Sequence, residues 1–508
     1  MGWARAAVGL VAVAAAGALL VSGGHEADPR TPDGLPGMPP PFLGVAVLGD
    51  GGLTAAVDAY GDVVDLRTPG PAGRALIENP ADRQAAGTVE PDTGIQVWVR
   101  VGAGQVLPMW RADSIRQSYF PAMSALRTVA LFGGERIEII QAARGQVLTV
   151  AVDGTGATVE FRINADLGCG QRRDGRAVTL RCSADERDDS SPLDEVAAAD
   201  QRWLERRRPL GAAAPGWAEQ MYERSLLVLR SLTDRENGAV AAGARDGWAY
   251  VWPRDASAVA IAFAAAGYRV EAERITRFLL GLGLEHAARF HGDGGPVSGR
   301  AAQGDAIGWV AAASQAAGIG NAGQAAHILA GGQPVPWRDR ADYWEGEPGD
   351  FLGNAIAGGE MAVDLLYEGQ LPSRLVREPS EPDSGLDSAA AWAVRPFSQP
   401  RLYPAARATL DRLIARATPY GIVPGEGWPG GEDPWSAPTA WTAWSLAALG
   451  ERRAALGLMR ALRRSATAAG DLPERVDAQT GIPRSTTPLA WSHAFAILAL
   501  RELWPGDS

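Results

Sequence analysis

The period of the apolar residues changes once along this chain, and that change limits the architectures open to it. From about Phe42 to Cys182 apolar residues fall in short, β-branched runs separated by turn residues: 43–48, 53–57, 62–66, 95–101, 124–132, 135–141, 146–152 and 157–163. Beyond Pro215 they recur at helical spacing, over 217–232, 256–266, 270–282, 305–317, 354–366, 388–394, 404–417, 439–449, 452–466 and 488–503. Short strands joined by turns pair antiparallel, so residues 42–183 are expected to form an N-terminal antiparallel β-sandwich. Helices without strands between them can bury their apolar stripes only on one another. Residues 215–508 are therefore expected to be all-α, a helical barrel or a toroid of hairpins. No period of roughly 30 to 50 residues supports a solenoid.

The 508 residues suffice for a large core and more than one domain. Met1-Gly-Trp-Ala-Arg5 and the apolar run over 6–21 have the form of a secretory signal, so residues 1–24 read as a signal peptide or signal anchor. The run is slightly short of the roughly 20 residues that span a bilayer, which favours cleavage. Any contact with a membrane is expected only through this segment. Residues 25–41, rich in Pro and Gly, read as a linker, and 184–214 as a connector that becomes helical. Cys169 and Cys182 flank a turn-like Gly-Gln-Arg-Arg-Asp-Gly segment between strand-like runs. That suits a cross-strand disulfide in an oxidising, extracytoplasmic compartment; two buried thiols are the alternative. No Cys/His cluster suggests a metal, and no cofactor is expected.

The net charge of -11 argues against nucleic acid or an anionic membrane as partner, because both are bound through basic patches. The basic side chains are all arginine, which speaks of a GC-rich coding sequence rather than of function. The 17 tryptophans exceed ordinary core needs, and sugars stack their C–H faces on such rings.

Ala- and Leu-rich helices carry few polar groups, so the chemistry is expected in the loops between them. Trp248-Ala-Tyr250-Val-Trp252-Pro-Arg254-Asp255 sets aromatic surface beside a charged pair at a helix start. Asp255 could equally cap that helix and pair with Arg254. Asp342-Tyr343-Trp344-Glu345 sets a carboxylic acid beside an indole, where desolvation raises a pKa toward the range a general acid needs. Leu472-Pro473-Glu474-Arg475 is followed by Thr487-Pro488-Leu489-Ala490-Trp491-Ser492-His493. Taken singly, each glutamate also reads as a solvated loop acid. Two of them in aromatic loops of a helical region suggest a two-carboxylate glycosidase.

These motifs, in this order, resemble glycoside hydrolase family 15, the family of glucoamylases, glucodextranases, isomaltose glucohydrolases and some bacterial trehalases. The resemblance covers most of the chain and implies an (α/α)6 barrel as the catalytic domain behind the β-sandwich. It implies that Tyr250, Trp252, Arg254 and Asp255 hold the non-reducing-end glucose, that Glu345 is the general acid and that Glu474 is the general base. Gln303-x-Asp305-x-x-Gly308 and Gly431-Glu-Asp-Pro434-Trp435 resemble further family loops, which adds Asp305 and Trp435 to the sugar contacts beside Trp344 and Trp491. Two positions depart from the family pattern. Gly346 stands where a second acidic residue often follows the general acid, and Gly421-Ile422-Val423-Pro424 replaces a basic pair at the leaving-group side.

The resemblance implies exo-acting hydrolysis with inversion, releasing β-glucose from an α-linked oligosaccharide or polysaccharide. Inversion requires the two carboxyl groups roughly 6.5 to 9.5 Å apart, with a water between base and sugar. Two other readings remain open on sequence: a phosphorylase on the same barrel, against which the Leu-Pro-Glu motif speaks, and a carbohydrate-binding envelope protein without turnover.

Overall fold

Thirteen strands come first among the described residues of the computed structural model, which are 43–77, 94–154, 156–184, 192–245 and 247–506. The expected signal and linker, 1–24 and 25–41, lie outside them. One sheet runs β1 (Gly44–Gly49), β2 (Thr54–Asp58), β3 (Val63–Thr68), β5 (Gly94–Val101) and β11 (Ala157–Asn164), with β4 (Arg74–Ala75) on β3 and β6 (Val106–Pro108) on β5. The second runs β12 (Gly168–Asp174), β13 (Ala177–Ser183), β10 (Val147–Gly154), β9 (Glu135–Arg144), β8 (Leu126–Phe132) and β7 (Ser114–Tyr119). Every pairing is antiparallel. Leu48, Val57 and Val97 of the first sheet share one core with Ile137, Val150 and Leu180 of the second. Cys169 and Cys182 face each other across β12 and β13 and are disulfide-bonded.

β1 and β2 are buried on both faces, unlike the alternating β7. Successive strand side chains point to opposite faces. Ala46, Leu48, Ala55 and Val57 accordingly enter the core between the sheets, while Val47 and Ala56 enter the core of the helical region. The first sheet is thus a wall shared by two cores. Polar ties follow the same seam: Ser231 Oγ donates to Gly49 O at 2.7 Å, and Thr54 Oγ1 donates to Ser231 O at 3.2 Å. Gly51 sits at φ +87°, where a Cβ would lie 2.3 Å from Thr233 O, so this crossing needs a glycine.

Helix α1 (Pro192–Leu204) lies in the expected connector, and α2 (Gly216–Ser231) opens the helical region. There follow α3 (Pro253–Ala266), α4 (Arg269–Leu280), α5 (Ala306–Ala317), α6 (Ala322–Leu329), α7 (Leu352–Gly358), α8 (Glu360–Leu366), the 3-10 helix Ser388–Ala393, α9 (Tyr403–Ile414), α10 (Ser436–Ala448), α11 (Arg452–Ser465) and α12 (Ala490–Leu503). Neighbour follows neighbour from α3 to α5, α7, the 3-10 helix, α10, α12 and back to α3. Against these pack α2 on α12, α4 on α3 and α5, α6 on α5, α8 on α7, α9 on the 3-10 helix and α11 on α10. The inner elements are the Ala-rich ones, such as α12, whose residues from Ala490 to Leu500 are all buried.

Three departures from the sequence expectation have local causes. The single helix expected over 354–366 breaks into α7 and α8 at Gly359, which adopts φ +93°. The run at 388–394 forms a 3-10 helix, capped by the Asp387 side chain on Ala389 N–H. Helix α6 was not expected, because its short Ala/Gly sequence lacks an apolar period; the Asn321 side chain caps it on Gln324 N–H. Among the described residues no helix is long and apolar enough to cross a membrane.

Candidate active site

The loops that enter α3, α10 and α12, together with those ahead of α5 and α7, surround one pocket of about 390 Å³, a size suited to a small ligand. Its lining includes both glutamates of interest, Arg254 and Asp255, and Trp248, Trp252, Trp344, Trp428, Trp435 and Trp491, six of the 17 tryptophans. Tryptophan richness therefore belongs in good part to the pocket. Trp309, Trp392 and Trp441 are core residues instead.

The floor is the best buried part. Arg254 is 3%, Asp255 4% and Trp491 5% exposed. Pro253 at the start of α3 pre-sets the turn that aims this pair inward. Arg254 Nη1 donates to Asp305 Oδ2 at 3.0 Å and to Gln303 Oε1 at 2.8 Å, and its guanidinium lies 4.8 Å from the Trp491 ring centre. Burial pushes the Asp255 carboxyl up to about 7 against the pull of Arg254, with Asp305 and Glu474 adding to the rise. Arg254 Nε and Asp255 Oδ2 have no hydrogen-bond partner among the described residues. Buried polar atoms of this kind are what a sugar hydroxyl can satisfy.

Glu345 follows a turn built on buried Asp342, which accepts hydrogen bonds from Trp344 N–H at 3.1 Å and from Arg377 Nε and Nη2 at 2.9 and 3.0 Å. Glu345 itself adopts φ +59°, a left-handed conformation that a side-chain-bearing residue holds only under external constraint. Its Oε1 accepts from Trp252 Nε1 at 2.8 Å and from Gln303 Nε2 at 3.4 Å. Gln303 thus ties the floor arginine to this carboxyl. The other oxygen, Oε2, pairs with Arg300.

Glu474 accepts from Trp248 Nε1 on Oε1 at 3.2 Å and from Ser485 Oγ on Oε2. Burial raises its pKa above the ordinary range, while Ser485, Trp248, Arg475 and Arg245 pull it down. Its backbone is pinned by Glu474 N–H to Thr486 O and by Ser436 N–H to Glu474 O. Behind it, buried His493 accepts from Leu472 N–H on Nε2 at 2.9 Å, so its proton sits on Nδ1, 3.0 Å from Ser225 Oγ. Burial, reinforced by Arg224, holds His493 neutral with its pKa down at about 3. Asp471 meets Tyr119 of β7 through Oδ2 at 2.9 Å, which fastens this loop to the β-region.

Of the residues singled out on sequence, Glu345, Glu474, Trp252, Arg254, Asp255, Trp344, Trp435 and Trp491 come together on the pocket lining. Tyr250 and Asp305 stand behind it. Tyr250 sets its ring edgewise to Trp252, and Asp305 is the fully buried counter-ion of Arg254. Arg300, Ser485 and Trp428 also line the pocket and carried no sequence signal that singled them out, and Trp248, the first residue of its motif, bonds a glutamate.

Among solved structures, a bacterial glucoamylase complexed with acarbose is similar over 95% of this chain and 96% of its own, with a TM-score of 0.65 at 14% identity. The chain has a glucoamylase-like fold. Partial matches are a wild-type glycosidase (TM-score 0.48, 21% identity, 60% of this chain and 98% of that one) and the glucoamylase from Saccharomycopsis fibuligera (0.46, 14%, 56% and 94%). No protein-family model matches the chain, and no curated protein matches it in sequence.

Proposed function

We propose that this chain is an exo-acting inverting glycoside hydrolase that releases β-glucose from the non-reducing end of an α-linked glucoside or oligosaccharide. The observation that carries the reading is a single pocket with a buried Arg–Asp floor and two carboxyls, each bonded by an indole N–H. Glu345 is the general acid. Trp252 and Gln303 occupy its Oε1, so Oε2, the oxygen that Arg300 pairs with, is the one to carry the proton to the glycosidic oxygen. Glu474 is the general base, and its raised pKa brings it toward the operating range of a base near neutral pH. Arg254 and Asp255 hold hydroxyls of the terminal glucose, and the surrounding indoles stack on its faces.

The closed succession of inner elements, each with an outer partner, supports an (α/α)6 barrel as the catalytic domain over 215–508. The two sheets support a β-sandwich over 42–183 that braces it. The acarbose complex of the similar bacterial glucoamylase supports an α-linked oligosaccharide as substrate. The disulfide supports an extracytoplasmic site of action, reached through the signal-like segment 1–24. Incubation of the purified chain with maltose, isomaltose, trehalose, maltooligosaccharides and dextran tests the reading: glucose appears from at least one. Binding without release from any of these, or from glucosides with an anionic leaving group, would make this a sugar-binding protein.

A further inference from the structure

We propose that the leaving-group side of this pocket is built for an oxyanion, so that the preferred substrate is an α-glucoside whose leaving group carries a carboxylate or similar charge beside the glycosidic oxygen, and that Arg300 selects it. The inference rests on the hydrolase reading above and narrows its substrate class.

Depth gives the first step. Arg254, Asp255 and Trp491 are almost fully buried, whereas the side chains of Arg300 and Arg475 are 38% and 34% exposed. A terminal glucose on the floor therefore directs its leaving group outward, past Glu345, toward Arg300. The second step is which oxygen Arg300 touches. Trp252 and Gln303 already donate to Oε1 of Glu345, and Arg300 pairs with Oε2, the oxygen the acid must use. Arg475 is engaged with Asp433 at 3.4 Å, which leaves Arg300 as the lining arginine that binds the acid itself.

The third step is charge. Arg300 and Arg289 lie over the same indole, 5.8 and 5.6 Å from the Trp252 ring centre, so the two cations repel. Hydrolysis needs Glu345 neutral, and the Glu474 carboxylate, which also attracts Arg300, cannot alone balance both guanidiniums. A leaving group with its own oxyanion supplies that balance and draws the guanidinium off Oε2. An uncharged leaving group leaves it there. In the step itself the C1–O bond breaks, and its electron pair stays on the leaving oxygen, which takes the Glu345 proton. Water bonds to C1 and gives a proton to Glu474. The charge of the leaving group is unchanged throughout.

The test compares matched glucosides that differ only in the charge beside the glycosidic oxygen: 2-O-α-glucosylglycerol against 2-O-α-glucosylglycerate, and the 2-O-α-glucoside of 1,2-propanediol against that of lactate. On whichever pair is cleaved, kcat/KM for the acid is expected to exceed that for the neutral glucoside by about tenfold or more, as a charge-assisted contact warrants. The preference should shrink with added salt. Arg300→Gln is expected to bring the pair within about threefold, the span of a lost charged contact, and Arg300→Lys to keep part of the preference. Equal or faster turnover of the neutral glucoside by the unaltered chain overturns this inference alone. No turnover of either pair or of the wider sugar panel overturns the hydrolase reading with it.

Discussion

Glu474 and Glu345 face one pocket, but the chain supports them by different means. The Glu474 loop is held from behind by buried groups far away in sequence: Tyr119 of β7 on Asp471, His493 of α12 on Leu472, and Ser225 of α2 on His493. Glu345 sits at the end of a short turn with a left-handed backbone, and Arg300 from a Gly-rich loop reaches its outer oxygen. Glu474 is fixed by the meeting of two cores, while Glu345 is fixed by its own turn and by Trp252 and Gln303 of the pocket wall.

The largest expected effect is on Glu474, the proposed base. Glu474→Gln is isosteric, should leave thermal unfolding nearly unchanged, and should lower kcat by on the order of 100- to 10,000-fold. Retention of a tenth of the activity would remove Glu474 from that role. Next is the disulfide, which lies away from the pocket between β12 and β13. It closes a short loop with a sequence separation of 13, and its loss should cost about 3 kcal/mol by the loop-entropy argument. Cys169→Ser with Cys182→Ser should therefore lower Tm without changing kcat/KM; a fall in kcat/KM would tie this edge to the site.

Tyr119→Phe strips the hydroxyl from Asp471 and from Val47 N–H, both buried. Urea unfolding should show a loss of about 1 to 3 kcal/mol. Arg300→Gln, at a half-exposed position, should stay within about 0.5 kcal/mol of the unaltered chain. Equal losses would erase the contrast between the supports of Glu474 and Glu345.

The smallest effect is one of pH. Burial raises the Asp471 carboxyl to about 7, above its unfolded value, so the protonated form favours the fold. That stability is present below the unfolded pKa and is lost as pH rises through about 7. Asp471→Asn mimics the protonated form, so its Tm should fall less than that of the unaltered chain between about pH 5 and pH 8. An identical fall would place the titration elsewhere.

The same contrast runs through what the sequence discloses. The floor is legible because Tyr250-x-Trp252-x-Arg254-Asp255 lies in one loop, and a motif within one loop needs no fold to be seen. The inner helices are legible through their Ala-rich runs. The support of Glu474 is not, because Tyr119 comes from β7, whose Ser, Arg and Gln positions hide the strand, and meets Asp471 from 352 positions away. Arg300 is equally hidden. An arginine in a Gly-rich loop reads as a solvated charge until the fold sets it against Glu345. Local motifs report the candidate chemistry, whereas long-range contacts decide how its residues are held.

Proton NMR of the first turnovers on whichever sugar is cleaved tests the central claim most directly, because the anomer released records which face the water attacks. This account predicts β-glucose first, with α-glucose growing in only by mutarotation. α-Glucose as the initial product would contradict it, since it requires Glu474 to act as a nucleophile rather than as a base.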